Sequence, residues 1–455
     1  MSDHLRPDER RAEGKARRKE VPRSSHGDWS PATDRPDPVD VVTGQDASRL
    51  QPLVPIRHGR MAESPFAFYR GAAKIMAADL ASTPSTGFDA QLCGDAHLAN
   101  FGSYASPDRR QVFDVNDFDE TLPGPWEWDL KRLATSFVLA GRDNGFDDRT
   151  IRSIVTRSVS SYREAMARFG AGGFLDVWYA QASLDDIAAS APRKKDRKRI
   201  AGQAKKARSK GNLKALGKLA ETVGGRTQIK SDPPLLLRLR DVPGIDADEL
   251  HSQVVASHGD FRNSLADDRR VLLDRFRLLD VALKVVGVGS VGTRCMIVLL
   301  EGRDEGDPLF LQIKEATDSV LEDHLPRSPY DGAGRRVVEG QRLMQASSDI
   351  FLGWDTTSSK HHYYWRQFHD MKGSADVSAM HPRQLTRYAG ICGTTLAHAH
   401  ARSGDPLAIA GYMGSGDVFD RAITRFAFTY ADLNDRDHAA FRDAIEAGRV
   451  EASAG

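Results

Sequence analysis

Gly94-Asp95-Ala96-His97-Leu98-Ala99-Asn100 is followed by Asp114-Val115-Asn116-Asp117-Phe118-Asp119-Glu120, and the fold turns on how these two stretches are read. Ala90-Gln91-Leu92-Cys93 is a short apolar run ending at Gly94-Asp95, so it predicts a strand that feeds a loop. Gln111 to Val115 predicts the next strand, with Asn116 and Asp117 at its exit. Asp95 can take a proton from a hydroxyl, and with His97 it is a candidate catalytic residue. Asn100 and Asp117 are candidate metal ligands. One amide and one or two carboxylates suit Mg2+, a hard cation that keeps several waters. Zinc would need more His or Cys at suitable spacing. An Asx-rich turn explains any one of these residues, but not the set beside two strands.

A second half-site lies far downstream, in Gly287-Val288-Gly289-Ser290-Val291-Gly292 and Lys314. A dinucleotide fold needs a helix after such glycines. Here Cys295 to Leu300 is apolar and β-rich, which predicts a strand–glycine turn–strand hairpin. Missing side chains in such a turn let backbone N–H groups approach phosphate oxygens. Lys314 closes the next strand, Phe310 to Ala316, where a kinase carries its phosphate-binding lysine; Glu339 on the following helix is the expected carboxylate partner. The nucleotide-binding candidates are therefore Gly287, Gly289, Ser290, Gly292, Lys314 and Glu339.

The chain has 455 residues and a formal net charge of +1, so whole-chain charge points to neither nucleic acid nor a membrane surface. Cys93, Cys295 and Cys392 are scattered and form no CxxC pair, which fits a reducing cytoplasm. No apolar h-region opens the chain and no run is long enough to span a bilayer, so the expected location is cytoplasmic. The sequence carries no signal of oligomeric state.

Residues 1–45 are rich in Arg, Asp, Pro and Ser and poor in large apolar groups, so they are expected to be disordered. Helices are predicted over Phe66–Leu80, Trp128–Arg142, Thr150–Phe169, Arg335–Ala346, Leu385–Ala401 and from Asp417 onward. The basic stretch from Arg193 to Lys210 is read as a solvated helical face rather than a nucleic-acid patch, because it lacks aromatic residues.

GDAHLAN (94–100) resembles the GDxHxxN catalytic loop of the aminoglycoside phosphotransferase and choline kinase branch of the kinase-like superfamily. Asn116-Asp117-Phe118-Asp119-Glu120 is similar to that branch's metal segment, and Trp128-Asp129-Leu130 to the helix start that braces the loop. The resemblance implies Asp95 as base, Asn100 and Asp117 as metal ligands, and Asp129 as structural. At chain level, SPFAFYRGAA, GDAHLANFG, FDVNDFDETLPGPWEWDLKRLA and the stretch Arg366–Ser374 resemble a bacterial family, DUF2252, which implies no particular substrate.

In a kinase the glycine hairpin precedes the catalytic loop; here it follows. The expectation is an α+β, bilobal, protein kinase-like fold that is circularly permuted, with a helical insertion. Its parts would be 46–180 (helical lobe with the catalytic and metal loops), 181–269 (insertion), 270–375 (strand-rich nucleotide lobe) and 376–455 (rest of the helical lobe). The strand Tyr363–Phe368, with Gln367, would then contact the adenine. His398 and His400 resemble the end of the helix leading to the catalytic loop. The expected function is ATP- and Mg2+-dependent phosphoryl transfer to a hydroxyl of a small molecule. Two alternatives stand beside it: a non-catalytic nucleotide-binding module, and adenylyl transfer on the same fold.

Overall fold

The computed structural model describes residues 5–209, 211–233, 235–241, 247–285, 287, 289, 291–355, 361–368 and 370–453. Helices take 53% and strands 15%, and the strands fall into separate sheets, so the class is α+β.

The largest sheet has six strands in the order Gly353–Trp354, His362–Gln367, Pro308–Ala316, Cys295–Glu301, Arg277–Lys284, Leu236–Arg238, all antiparallel. Side chains alternate across it as the pleat requires. Met296, Val298, Leu309, Leu311 and Ile313 pack in one cluster, and Ile297, Leu299 and Phe310 in another. Both faces are covered. Helix Ala247–Asn263 brings Val254 and Phe261 to the first, where Phe261 stacks on Trp365 at 4.6 Å. Helix Asn212–Leu219 brings Ala215 and Leu219 to the second. Each large apolar side chain enclosed in this way contributes about 1.5–3 kcal/mol.

Segment 181–269, expected to be helical, therefore also builds strands. Ala220–Val223 pairs with Arg226–Ile229, and Leu236–Arg238 joins the edge of the large sheet. The hairpin turns at Gly224 and Gly225, whose φ values are 58° and 76°, a conformation that favours glycine. Gly-Gly between Thr222-Val223 and Thr227-Gln228-Ile229 was the missed signal.

The helical core is centred on Trp126–Asp143, which is buried at every residue from Trp126 to Gly141. Asp148–Ala171, Pro382–Ala401 and Val418–Glu446 pack round it. Gly393 permits one close crossing, since a Cβ there would sit 2.1 Å from the Ser158 carbonyl oxygen.

Residues 5–45, expected to be disordered as part of 1–45, are ordered. Pro7–Arg17 is a helix packed on Pro406–Met413. The segment is held by polar contacts that composition does not weigh. Arg10 pairs with Asp405 at 2.7 Å, and Arg18 donates to the Tyr412 carbonyl at 2.8 Å. Arg35 bridges Asp79 at 2.8 Å and Asp437 at 2.6 Å. No helix among the described residues is long and apolar enough to cross a membrane.

Candidate active site

The loop after strand Asp89–Leu92 is fastened by helix Trp126–Asp143. Asp129 accepts the backbone N–H groups of Cys93 at 2.8 Å and Gly94 at 3.0 Å, and His400 approaches it at 3.2 Å. Gly94 has φ +80°, and a Cβ there would lie 2.2 Å from the Glu120 carbonyl oxygen, so this turn requires glycine. One helical turn on from Asp129, Arg132 donates to Asp95 at 2.5 Å and to the Tyr69 carbonyl at 2.9 Å. Burial raises the Asp95 pKa, and Arg132 opposes that shift. Asn100 closes the loop by donating its amide to the Asp95 carbonyl at 2.8 Å. His97 Nε2 lies 3.7 Å from Asp95 Oδ2. Burial, with Arg70 and Arg132 nearby, holds the His97 pKa well below its usual value, so the ring is neutral.

Strand Phe101–Ala105 pairs with Gln111–Val115, and the chain leaves that ladder at Asn116. The Asn116 N–H donates to the Asn100 carbonyl at 3.0 Å, which sets the second acidic segment beside the first loop. Lys314, 3% exposed, reaches in from the large sheet. Its Nζ lies 2.5 Å from Asp119 Oδ2 and 3.8 Å from Asp117 Oδ1. Tyr364 on the adjacent strand also donates to Asp119, at 2.7 Å. Burial works against the Asp119 charge, but Lys314 and Tyr364 outweigh it and lower the pKa. Asp117 shifts upward through burial and the neighbouring Asp119 charge.

Asp95, His97, Asn100, Asp117, Asp119, Gly287 and Gly289 line one cleft of 360 Å³. Lys314 is not itself a lining residue and meets the cleft through its contacts with Asp117 and Asp119. The glycine turn is anchored from the helical side. The Gly287 carbonyl accepts from Arg60 at 2.7 Å, and the Gly292 carbonyl accepts the Leu50 N–H at 2.8 Å. Gly292 has φ +89° and rests against Arg49.

Three expected nucleotide contacts stand differently. Glu339 turns to Arg342 at 3.4 Å and is not the partner of Lys314. Its helix contributes Arg336 instead, which donates to the carbonyls of Asp119 at 2.7 Å, Thr121 at 2.6 Å and Thr317 at 2.8 Å. Gln367 is outside the cleft lining and donates to Asp349 at 2.8 Å. Ser290 lies outside the described residues.

The family model described as "Uncharacterized protein conserved in bacteria (DUF2252)" matches residues 49–444. The chain belongs to the DUF2252 family. No curated protein and no solved structure matches it.

The DUF2252 match starts at Arg49, one of three cations in the cleft lining that sequence reasoning passed over; the others are Arg70 and Lys74. Arg70 Nε is buried without a hydrogen-bond partner. Burial lowers the Arg70 pKa, while Asp95 and Asp117 oppose the shift. Asp119, Arg132 and Arg336 were also passed over as site residues. The sequence around the last two carries no mark, since Arg132 shares its helix face with Asp129 and Ser136, and Arg336 with Glu339 and Gly340. Among the described residues of this DUF2252 chain, no three His, Cys, Asp or Glu side chains are grouped to hold a metal ion.

Proposed function

We propose that this DUF2252 protein transfers the γ-phosphoryl group of ATP to a hydroxyl of a small molecule. The observation that carries this reading is Lys314 against Asp117 and Asp119, two carboxylates that line one cleft with Asp95, Asn100, Gly287 and Gly289.

Asp95 is positioned to accept the acceptor's hydroxyl proton. The hydroxyl oxygen bonds to the γ-phosphorus, and the bond from that phosphorus to ADP breaks. Lys314 exchanges Asp119 for phosphate oxygens. Gly287 and Gly289 leave their backbone open to the phosphates, and Arg70 faces the charge that develops. Asn100 and Asp117 are the residues that would hold Mg2+. The Asn100 amide nitrogen is spent on the Asp95 carbonyl, which leaves Oδ1 as a donor atom beside a carboxylate. That sparse oxygen set fits a cation completed by phosphates and water. When bound, Mg2+ would neutralise phosphate charge.

The fold that agrees with this chemistry is a circularly permuted kinase-like one. Residues 270–375 form the nucleotide lobe, 46–180 and 376–455 the helical lobe, and 181–269 the insertion. A cytoplasmic location, with its ATP supply, belongs to the same reading.

A second reading, a nucleotide-binding module without turnover, draws support from Arg132, which occupies Asp95 Oδ1 at 2.5 Å. ATP labelled at the γ or α position, incubated with a panel of hydroxyl-bearing metabolites, tests both. Transfer of the γ label that is lost in Asp95→Asn, with ATP binding retained, supports phosphoryl transfer. Transfer of the α label means adenylylation. Binding without transfer leaves the module, and absence of ATP binding removes all three.

A further inference from the structure

The basic stretch beyond residue 192 does not simply face solvent. Together with helix Pro382–Ala401 it walls a second cavity, of 880 Å³. Arg157, Arg193, Lys195, Arg199, Arg383 and Arg387 line this cavity, and Asp196 is the sole carboxylate among its lining residues. Of these cations, Arg157 alone has a carboxylate within ion-pairing distance among the described residues, Glu164 at 3.7 Å. So many unneutralised charges in one concavity repel one another, in a chain whose formal net charge is only +1.

Three polar atoms in the lining add a separate sign. Arg199 Nε, Arg387 Nη1 and Thr395 Oγ1 are buried and have no hydrogen-bond partner. Thr395 is 4% exposed. A buried donor left unpaired costs about 1–3 kcal/mol, so these positions favour an arriving acceptor. Guanidinium forks and hydroxyls together match phosphate oxygens. No Phe, Tyr or Trp is among the lining residues and His381 supplies a single small ring, so bases have little to stack on. An enclosure of this size holds a small molecule rather than an extended strand.

We infer that this cavity binds a small polyanion carrying two or more phosphate groups, at a site separate from the cleft that holds Asp95 and Asp117. The inference does not depend on the proposed phosphoryl transfer. Its lining is distinct, and Arg193 and Lys195 are exposed, so replacing them leaves the core intact.

The test is calorimetric titration of the full chain with inorganic tripolyphosphate. The expected result is saturable binding that weakens with salt. Arg193→Gln combined with Lys195→Gln weakens it by about tenfold or more. Thr395→Val weakens it too, while Lys19→Gln, exposed and in neither lining, leaves it unchanged. Inositol hexakisphosphate titrated in parallel separates ring-borne from linear phosphates, and saturable binding of either supports the site. Wild-type affinity in the Arg193/Lys195 variant overturns the inference, as does an equal weakening in Lys19→Gln. A random-sequence duplex that binds more tightly than tripolyphosphate, with the same sensitivity to the double substitution, assigns the surface to nucleic acid and overturns it as well.

Discussion

Lys314 and Asp119, 195 positions apart in the chain, meet at 2.5 Å. This contact ties the six-stranded sheet to the acidic segment, and it makes Asp119 rather than a helix glutamate the carboxylate that holds the buried ammonium.

Lys314→Met is expected to destabilise the protein by about 2 kcal/mol at neutral pH, since it leaves two facing carboxylates without their cation. The pH dependence follows from Asp119. Its folded pKa is lowered, so its contribution is present above the unfolded carboxylate value and is lost as pH falls through the folded one. The gap between wild type and variant should be widest near pH 7 and shrink below about pH 4. Urea unfolding across that range measures it, and a constant gap would contradict the assignment.

Glu120 behaves in the opposite sense. Burial pushes its pKa up to about 7, against the Val320 N–H and Arg336. An acid raised in the folded state costs stability as pH climbs from its unfolded value, about 4.3, toward the folded one. Glu120→Gln removes that loss while keeping an acceptor for the Val320 N–H. The variant should be more stable than wild type by about 1–2 kcal/mol at pH 8 and equal to it near pH 4. Thermal melts at the two pH values decide.

Asp129→Asn leaves one oxygen where two met the N–H groups of Cys93 and Gly94. The cost expected is about 1–3 kcal/mol for the donor left unpaired. Under the phosphoryl-transfer reading, turnover falls while ATP affinity is kept, because Asp129 positions the Asp95 loop and does not line the cleft. Equal losses in turnover and affinity would show that the loop also shapes nucleotide binding.

Gly14→Ala drives a Cβ to within 1.9 Å of the Ala408 carbonyl oxygen. The helix Pro7–Arg17 is expected to detach from Pro406–Met413, raising amide exchange over residues 7–17 and leaving Trp126–Asp143 protected. Unchanged exchange in 7–17 would mean that the contact gives way without releasing the helix.

Local features were legible because they depend on near neighbours. The strand over Gln111–Val115, the long helix after Trp126 and the strand from Cys295 all follow from spacing within a few residues. The choice of Asp119 over Glu339 was not legible. Both are acidic and distant from Lys314 in sequence, and only sheet register, which sets Tyr364 opposite Lys314, decides between them. The N-terminal segment was misread for a different reason. Composition counts apolar groups, whereas this segment is fixed by arginines placed against particular carboxylates and carbonyls. One face of the large sheet is covered by helix Asn212–Leu219, which looked merely polar because its apolar residues stand between Lys214 and Lys218.

The helix that carries Asp129 and Arg132 has almost no free surface, so the carboxylate it grips cannot travel without disturbing the whole helical interior. The opposite wall is held by Lys314 and Tyr364 on Asp119, by Ala316 and Tyr364 packed into the helical interior, and near the glycine turn by arginine-to-carbonyl contacts at Gly287 and Val291. Breathing of this protein should accordingly be lopsided, with a stationary anvil bearing Asp95 and the give on the side of the glycine turn. How often the salt link at Asp119 lets go then sets how fast anything large can slip between them.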